Sequence, residues 1–219
     1  MTVTLDQSLA QRLRDVSLPT LGHYLEAGFA SYALRALVPN VKVVGRAVTL
    51  QLHSPDAIAV NRALAQLTPG DVLVIDMQGD HEHACVGAVT ATAAQCAGAE
   101  GIVINGVATD LVELRQIGLP VFALGTSALT TKRLDDNLSG FNVPVQCGGV
   151  TVAPGSIVIA DDNGVLVSDT ESLLMVIDAA LASDRAEPGI LARLRAGEQV
   201  RDILVCTTPQ TIRASNADH

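Results

Sequence analysis

The residues best suited to chemistry follow two short apolar runs in the middle of the chain. The run DVLVID spans residues 71–76 and leads into MQGDHEHACVGAVTAT, in which a helical pattern begins at Gly87. The run GIVIN spans residues 101–105 and leads into GVATD, which ends at Asp110. Ligands of open parallel sheets bind at the carboxyl ends of the strands. The pattern therefore favours one site to which both segments contribute.

Backbone amides and one carboxylate are the first candidates at this site. A helix that begins at Gly87 leaves the amides of Ala88, Val89 and Thr90 free to bind a carboxylate or a phosphate. Such a glycine can also serve only to let the helix pack closely against the sheet. Asp110 likewise has two open interpretations, because it is either a metal ligand or the N-cap of the next helix.

Three further side chains are candidates for proton transfer or substrate binding. His81 and His83 share a face if their segment is a strand and diverge if it is a helix. No third ligand is identifiable beside them, so an acid–base or substrate-contacting role is favoured over metal binding. Lys132 is either a substrate-facing cation or a solvated loop lysine. The sequence contains no nucleophile elbow, phosphate-binding loop, dinucleotide fingerprint or Cys/His nucleophile pattern.

Composition excludes several classes of protein. The chain of 219 residues carries a net charge of −9, with only 14 basic residues, which argues against a nucleic-acid surface. No apolar run is long enough to cross a membrane, and the first residues do not form a signal peptide. The cysteines show no metal or redox spacing and are expected to be buried and reduced: Cys85, Cys96, Cys147 and Cys206. A cytoplasmic globular protein that binds neither nucleic acid nor membrane is expected.

Hydrophobic periodicity predicts an α/β fold with parallel βαβ units. Leucines four residues apart predict an N-terminal helix, and a second short helix is predicted from an N-cap at Thr20 to Gly28. Ser54 is the predicted N-cap of a third helix, followed by helices at about 88–98 and 110–117. Three buried strands are predicted at residues 71–76, 101–105 and 119–125.

The pattern changes after residue 140. Strand runs separated by Gly-Gly, Pro-Gly and Asn-Gly turns predict a β-meander, and helix is predicted from Thr170 to the end, broken at Pro188-Gly189. We therefore predict a single domain over residues 1–219. Its core spans 41–170, between a helical N-terminal segment (1–40) and a helical C-terminal arm (171–219).

Several blocks occur in a recognisable order between residues 45 and 167: GRAVTL, PGDVLVID, the Gly87 turn, GIVINGVATD, LPVFALG and GGVTVAPGSIVIADDNGVLV. In order and spacing the chain resembles the family that contains 4-hydroxy-4-methyl-2-oxoglutarate aldolase and the ribonuclease regulator RraA. The resemblance covers roughly two-thirds of the chain. It implies a β/β/α swivelling-domain sandwich that assembles as a homotrimer or as a homohexamer built from trimers.

The resemblance also implies a chemistry. Aldolases of this family use a divalent cation, Mg or Mn, as a Lewis acid on a 2-oxo acid, and their oxaloacetate decarboxylase side reaction does the same. The amides of residues 87–90 would bind the substrate carboxylate, and Asp110 would bind the metal. Thr109 stands where the aldolases have an arginine, and Ala88 stands where they have an acid. The chain is thus a divergent member, in which a hydroxyl cannot replace a bidentate guanidinium.

A glutamate of the C-terminal helix is the last residue that the resemblance implies. In the family it approaches the metal region of a neighbouring subunit and stands three residues before an isoleucine. Glu187 and Ile190 have this spacing, although Pro188 follows directly. A solvated glutamate at a helix end is the alternative.

Two functions of different kinds follow. The first is a class II, metal-dependent lyase of the aldolase or decarboxylase type, which acts on a small 2-oxo or 2-hydroxy acid through a pyruvate-enolate-like intermediate, with altered specificity. The alternative is a non-catalytic RraA-like regulator that binds the RNA-degradation machinery. An isomerase or decarboxylase on the same scaffold is a third possibility.

Overall fold

A computed structural model describes residues 5–205. The fold is built around one mixed β-sheet. The helices are α1 Gln7–Asp15, α2 Leu18–Leu21, α3 Ala57–Leu64, α4 Ala88–Cys96, α5 Leu111–Ile117, α6 Thr170–Arg195 and α7 Val200–Leu204. The strands are β1 Arg35–Ala36, β2 Lys42–Gln51, β3 Asp71–Asp76, β4 Gly101–Asn105, β5 Val107–Ala108, β6 Val121–Ala123, β7 Gly125–Thr126, β8 Gly140–Phe141, β9 Val145–Cys147, β10 Val150–Val152, β11 Ile157–Asp161 and β12 Gly164–Ser168.

The main sheet has the order β1-β6-β4-β3-β2-β11-β12, and β8 pairs with the end of β2. The pairs β2–β3, β3–β4 and β4–β6 are parallel, as the predicted βαβ units require. β11 runs antiparallel to β2 and forms a hairpin with β12. The carboxyl ends of the parallel strands therefore lie along one edge of the sheet, and the segments that follow them meet there.

Side chains alternate strictly between the two faces of this sheet. One face packs against the helices and contains Val44, Val48, Leu50, Leu73, Ile75, Ile102, Ile104, Ile157 and Ile159. The other face packs against the β9–β10 hairpin and contains Val43, Ala47, Val72, Val74, Val103, Phe122, Val158 and Ala160. Each large aliphatic side chain buried in this way contributes about 1.5–3 kcal/mol. The layers are a small hairpin, a sheet and helices, which confirms the predicted β/β/α sandwich.

Helix α4 explains why the core needs so few aromatic residues. Its buried positions are alanines, Ala91 and Ala94, and neither has any exposed surface. Small side chains let the helix lie close to the sheet, where β-branched residues fill the remaining space. Phe122 is the one aromatic side chain among residues 5–205 that is fully buried.

The predicted starts of two helices, α2 and α3, were wrong. Helix α2 begins after Ser17, and Thr20 lies inside it, where its hydroxyl bonds to the carboxylate of Asp184. Gly28 does not end this helix, which already stops at Leu21. Instead its backbone, at φ 87°, approaches Val167 so closely that a Cβ would lie 2.1 Å from the Val167 carbonyl oxygen.

The N-cap of α3 is Asp56 and not Ser54. The Asp56 side chain accepts a hydrogen bond from the amide of Ile58 at 2.8 Å and from the amide of Leu134 at 3.2 Å. Burial alone would raise the pKa of this carboxyl group, but the amides of Asp135, Ile58 and Leu134 lower it overall. One buried carboxylate therefore caps a helix and anchors the loop after Lys132.

We expect Asp56→Ala to lower the free energy of unfolding by about 2–3 kcal/mol, because a cap and a charge-assisted hydrogen bond to the loop are both lost. Urea unfolding at pH 7 measures this change. Because the pKa of Asp56 is lowered on folding, its contribution is present above its unfolded pKa and disappears as the pH falls through the folded value. Equal stability of the two proteins at neutral pH would contradict this role.

The predicted break at Pro188-Gly189 is also absent. Helix α6 continues through Pro188 to Arg195, and the chain turns at Gly197, with φ 84°. A proline in a helix removes one hydrogen bond, here the one to the carbonyl of Asp184, without necessarily ending the helix. The predicted helix after residue 205 lies outside the described residues.

The cysteines follow the expectation only in part. Cys85 and Cys147 are buried free thiols, and burial raises the pKa of each to about 12. Cys96 is free but exposed, because it lies on the outer side of α4. Cys206 lies outside the described residues. Within residues 5–205 no helix is both long enough and apolar enough to cross a membrane.

Candidate functional site

A small second layer of strands extends beyond the carboxyl ends of β3, β4 and β6. β5 pairs with β7 in parallel, and Val86 forms a parallel bridge with Ala108. The amide of Thr109 donates to the carbonyl of Val86 at 2.8 Å. This pairing fixes the start of α4 against the start of α5, and so it joins the two segments that the sequence placed at one edge.

Asp110 links the two helices through its side chain. Its backbone is left-handed, at φ 56° and ψ 44°, and its side chain does not cap α5, the helix that follows it. Instead Oδ2 accepts a hydrogen bond from the amide of Ala88 at 2.9 Å, at the start of α4. The hydroxyl of Thr109 lies 3.4 Å from Oδ1. A carboxylate is favoured here because the helix N-terminus carries partial positive charge.

Gly87 provides the space for this carboxylate. A Cβ at Gly87 would lie 2.5 Å from Oδ2 of Asp110 and 2.8 Å from Cγ2 of Thr109. The backbone of Gly87 is extended, at φ −139°, so any residue could adopt its conformation. Glycine is thus required for close approach to Asp110, and the alternative of mere helix–sheet packing does not describe this position.

Of the three backbone amides predicted to bind a substrate carboxylate, Asp110 already occupies one. The amide of Ala88 is already bonded to Asp110, whereas those of Val89 and Thr90 have no acceptor within the helix. The side chain of Val89 is 85% exposed. Among residues 5–205 these two amides have no hydrogen-bond acceptor, and they lie beside a fixed carboxylate at the carboxyl ends of the parallel strands.

The histidines occupy the loop that leads to this layer. His83 Nδ1 lies 2.8 Å from Oδ2 of Asp80, whose Oδ1 accepts hydrogen bonds from the amides of Glu82 and His83. Burial alone would raise the pKa of Asp80, but these amides and the His83 ring lower it overall. His81 is exposed.

Neither histidine contacts Asp110 by a hydrogen bond or ion pair within residues 5–205. His83 precedes the paired residue Val86 by three positions, which corresponds to about 10 Å of extended chain. One water molecule spans only about 5–6 Å between two partners, so a chain of several waters, and not direct contact, would have to connect the His83–Asp80 pair to the carboxylate.

Lys132 lies on the far side of the second layer. Its segment bridges to Ala84 through Thr130, and its own amide and carbonyl bond to Pro55 and Ala57. The 84–86 segment thus separates Lys132 from β5, which places its backbone about 10 Å from the 107–110 segment, two strand spacings away. The side chain is exposed and makes no ion pair with the described residues.

Glu187 lies at the opposite edge of the sheet within one chain. It borders a cleft of about 560 Å³ together with Arg14, Lys42 and Asp184. Arg14 bonds to Glu100, at the amino end of β4, and Lys42 begins β2. The structure therefore does not bring Glu187 to Asp110 within a single copy of the chain.

Three polar residues near the site were not selected from the sequence. Asp76, at the end of β3, is buried and accepts hydrogen bonds from the amides of Gln78 and Gln146, and Asn105 accepts one from Gly148. These two therefore fix the β9–β10 hairpin. Glu113 is exposed in the first turn of α5, three residues after Asp110. The Asp-x-x-Glu spacing at a helix start was the signal that could have found it.

A divalent cation fits this site only if water and substrate supply most of its ligands. No group of three or more His, Cys, Asp or Glu side chains within residues 5–205 is arranged to hold a metal. Oδ1 of Asp110 keeps lone pairs for coordination, since the Ala88 amide bonds to Oδ2. Mg²⁺ usually keeps several waters and is bound through one or two carboxylates. Asp110 is suited to that role.

The fold and the site together define a β/β/α sandwich with a carboxylate fixed at a helix start beyond the parallel strands. A family model described as "RraA-like: Aldolase/RraA" matches residues 14–167. The chain belongs to this RraA-like family.

Individual relatives agree with the family assignment. A protein of Halalkalibacterium halodurans named "Putative 4-hydroxy-4-methyl-2-oxoglutarate aldolase" is 34% identical over 156 residues, covering 70% of this chain and 73% of that protein. An uncharacterised protein of Methanocaldococcus jannaschii is 31% identical over 196 residues, covering 88% and 91%. The crystal structure of Streptomyces coelicolor RraAS2, "an unusual member of the RNase ES inhibitor RraA protein family", superimposes with a TM-score of 0.71 at 29% identity, covering 87% and 98%.

Proposed function

We propose that this protein is a divalent-metal-dependent lyase that acts on a small 2-oxo acid through a pyruvate-enolate-like intermediate. The observation that carries the proposal is the Asp110 carboxylate, held against Gly87 and bonded to the amide of Ala88 at the mouth of the parallel strands. The aldolase name of the Halalkalibacterium relative supports the same reaction class.

Each group at the mouth of the sheet has a role in this proposal. The free amides of Val89 and Thr90 bind the substrate carboxylate, because a helix start favours an anion. Asp110 holds Mg or Mn, which supplies Lewis-acid polarisation of the 2-oxo group when bound. The hydroxyl of Thr109 lies beside Oδ1 of Asp110 and orients water or substrate there.

Proton transfer is assigned to the histidine loop and positive charge to Lys132. His83 is held by Asp80, which orients the ring, and it delivers a proton through water. His81 is exposed in the same loop and is the second candidate for this step. Lys132 offers the positive charge that Thr109, in place of an arginine, cannot provide.

The site is completed, in this proposal, by a second copy of the chain in a trimer or hexamer. Glu187 is exposed on α6 and lies at the opposite edge of the sheet from Asp110. It can therefore approach an Asp110 site only in a neighbouring copy, where it would hold the metal or its water.

Deuterium exchange into the methyl group of pyruvate tests the proposal. Enolisation of pyruvate exchanges these protons without any C–C cleavage, so the assay needs no knowledge of the true substrate. We expect exchange that depends on added Mg²⁺ or Mn²⁺ and is lost in Asp110→Ala. Exchange no faster than in that variant would contradict the proposal.

A non-catalytic regulator is the second candidate, favoured by the likeness to RraAS2 over 98% of that chain. In this case the partner is the RNA-degradation machinery, and metal has no role. The regulator role predicts inhibition of a ribonuclease E-type enzyme at micromolar concentration that Asp110→Ala leaves intact. Inhibition without pyruvate exchange would replace the lyase proposal.

A further inference from the structure

Two exposed valines lie in the first turns of the two helices whose starts meet at Asp110. Val89 lies in the first turn of α4, next to the amide that bonds to Asp110, and its side chain is 85% exposed. Val112 lies in the first turn of α5, two residues after Asp110, and is 62% exposed. The methyl group of Thr109 lies between the two helix starts, close to Gly87. The rim formed by Val89, Thr109 and Val112 is therefore largely apolar.

The charges around this rim do not favour a second anionic group on the substrate. Asp110 is itself an anion, and the exposed Glu113 lies in the same turn as Val112. Lys132 lies across the 84–86 segment, with its backbone bonded to Pro55 and Ala57. A distal carboxylate on the substrate would approach these two acids, whereas the Lys132 backbone lies two strand spacings away, and such an arrangement is unfavourable.

We propose that the site selects a 2-oxo acid with one carboxylate and an apolar distal group, and that Val89 and Val112 determine this specificity. The inference rests on the proposed function, since it names the substrate class of the same site. The 2-oxo acid end binds at the free amides and Asp110, and the distal alkyl group packs against the two valines. An alkyl group of two carbons that packs against these valines is expected to raise the affinity by up to roughly tenfold.

A 4-hydroxy-2-oxoalkanoate is the simplest substrate of this class. For 4-hydroxy-2-oxohexanoate, the 4-hydroxyl loses its proton, the C3–C4 bond breaks, and C4 leaves as the carbonyl carbon of propanal. The electron pair of the broken bond stays on C3 as the pyruvate enolate. A proton then adds to C3, so that one molecule gives one pyruvate and one propanal without any oxidant or co-reactant.

Competition between two substrates tests this specificity. The metal-loaded protein is assayed for pyruvate release from 4-hydroxy-2-oxohexanoate and from the dicarboxylate 4-hydroxy-4-methyl-2-oxoglutarate. We expect kcat/KM for the monocarboxylate to be at least about tenfold higher. Val89→Lys and Val112→Lys should each shift this ratio at least about tenfold toward the dicarboxylate, because a lysine there pairs with the distal carboxylate.

Met175→Lys is the matched control. Met175 is a 68% exposed apolar residue on α6, which within one chain packs with α1 and α2 and not with the Asp110 site, and the substitution changes the net charge equally. We expect it to leave the substrate ratio unchanged. A similar shift in this control would show that net charge alone sets the ratio, and would overturn the role of the valines.

Further outcomes distinguish this inference from the proposed function. If pyruvate exchange occurs but the dicarboxylate is preferred, the lyase stands and the specificity inference is wrong. If the dicarboxylate is preferred and the Lys132→Met variant loses this preference, Lys132 is the cation that binds the distal carboxylate. A change in molecular mass of Val89→Lys by light scattering would show that a second copy covers the rim. If exchange is absent, the lyase and the inference both fail.

Discussion

Replacing Asp110 with alanine is expected to lower metal-dependent proton exchange at the pyruvate methyl group by at least about 100-fold. The substitution removes the carboxylate that holds the cation, and Lewis-acid stabilisation of a developing enolate is worth several kcal/mol. Exchange rates measured by proton NMR at saturating Mg²⁺ or Mn²⁺ give this factor directly. It is one of the two largest effects that the site predicts.

Asp110→Asn separates the chemical role of this residue from its structural one. The amide oxygen of asparagine still accepts the hydrogen bond from Ala88, and asparagine tolerates the left-handed backbone at this position. Its negative charge is lost, so we expect most of the activity to be lost while the melting temperature stays close to that of the parent. Full activity in Asp110→Asn would show that the carboxylate only joins α4 to α5.

Adding one methyl group at Gly87 is expected to disrupt both the fold and the activity. The new Cβ would lie 2.5 Å from Oδ2 of Asp110 and 2.8 Å from Cγ2 of Thr109, so both side chains would have to rotate away and the hydrogen bond from the Ala88 amide to Asp110 would be lost. Overpacking of this kind costs about 1–3 kcal/mol. For a chain of this size that corresponds to a fall in melting temperature of about 2–12 °C, with loss of exchange activity.

Gly189→Ala provides the matched control for Gly87→Ala. Gly189 lies inside α6 with no atom close to a built Cβ, so alanine there should stabilise the protein by about 0.5–1 kcal/mol. Both variants replace glycine with alanine, and thermal unfolding should show a lower melting temperature for Gly87→Ala and a higher one for Gly189→Ala than for the parent. If both variants melted at the same temperature as the parent, the close approach between Gly87 and Asp110 would not be a constraint on the fold.

Parts of the site followed from the order of segments in the sequence. The apolar runs at 71–76 and 101–105 are buried parallel neighbours, and the segments after them do meet at one edge. Residues 87–90 do open a helix, and Asp110 does precede one. These features depend on local periodicity and on parallel pairing, both of which leave a clear pattern in the residues.

Other parts depended on contacts that no local pattern records. Ser54 was the predicted cap of α3 because Ser-Pro-Asp is a common helix start, yet Asp56 caps the helix because its carboxylate also bonds to the distant Leu134. A break was predicted at Pro188, yet α6 continues through it as one helix. Local propensity was outweighed in the first case by a long-range hydrogen bond.

The sequence by itself determined the α/β architecture and placed the segments that follow β3 and β4, including Asp110, at one edge of the sheet. Only the tertiary structure decided that Asp110 points back to α4 and not along α5, and that Gly87 is glycine to make room for it. The physical reason is that a carboxylate binds whichever free amides are nearest in space. For Asp110 those amides belong to a helix that begins 22 residues earlier in the chain.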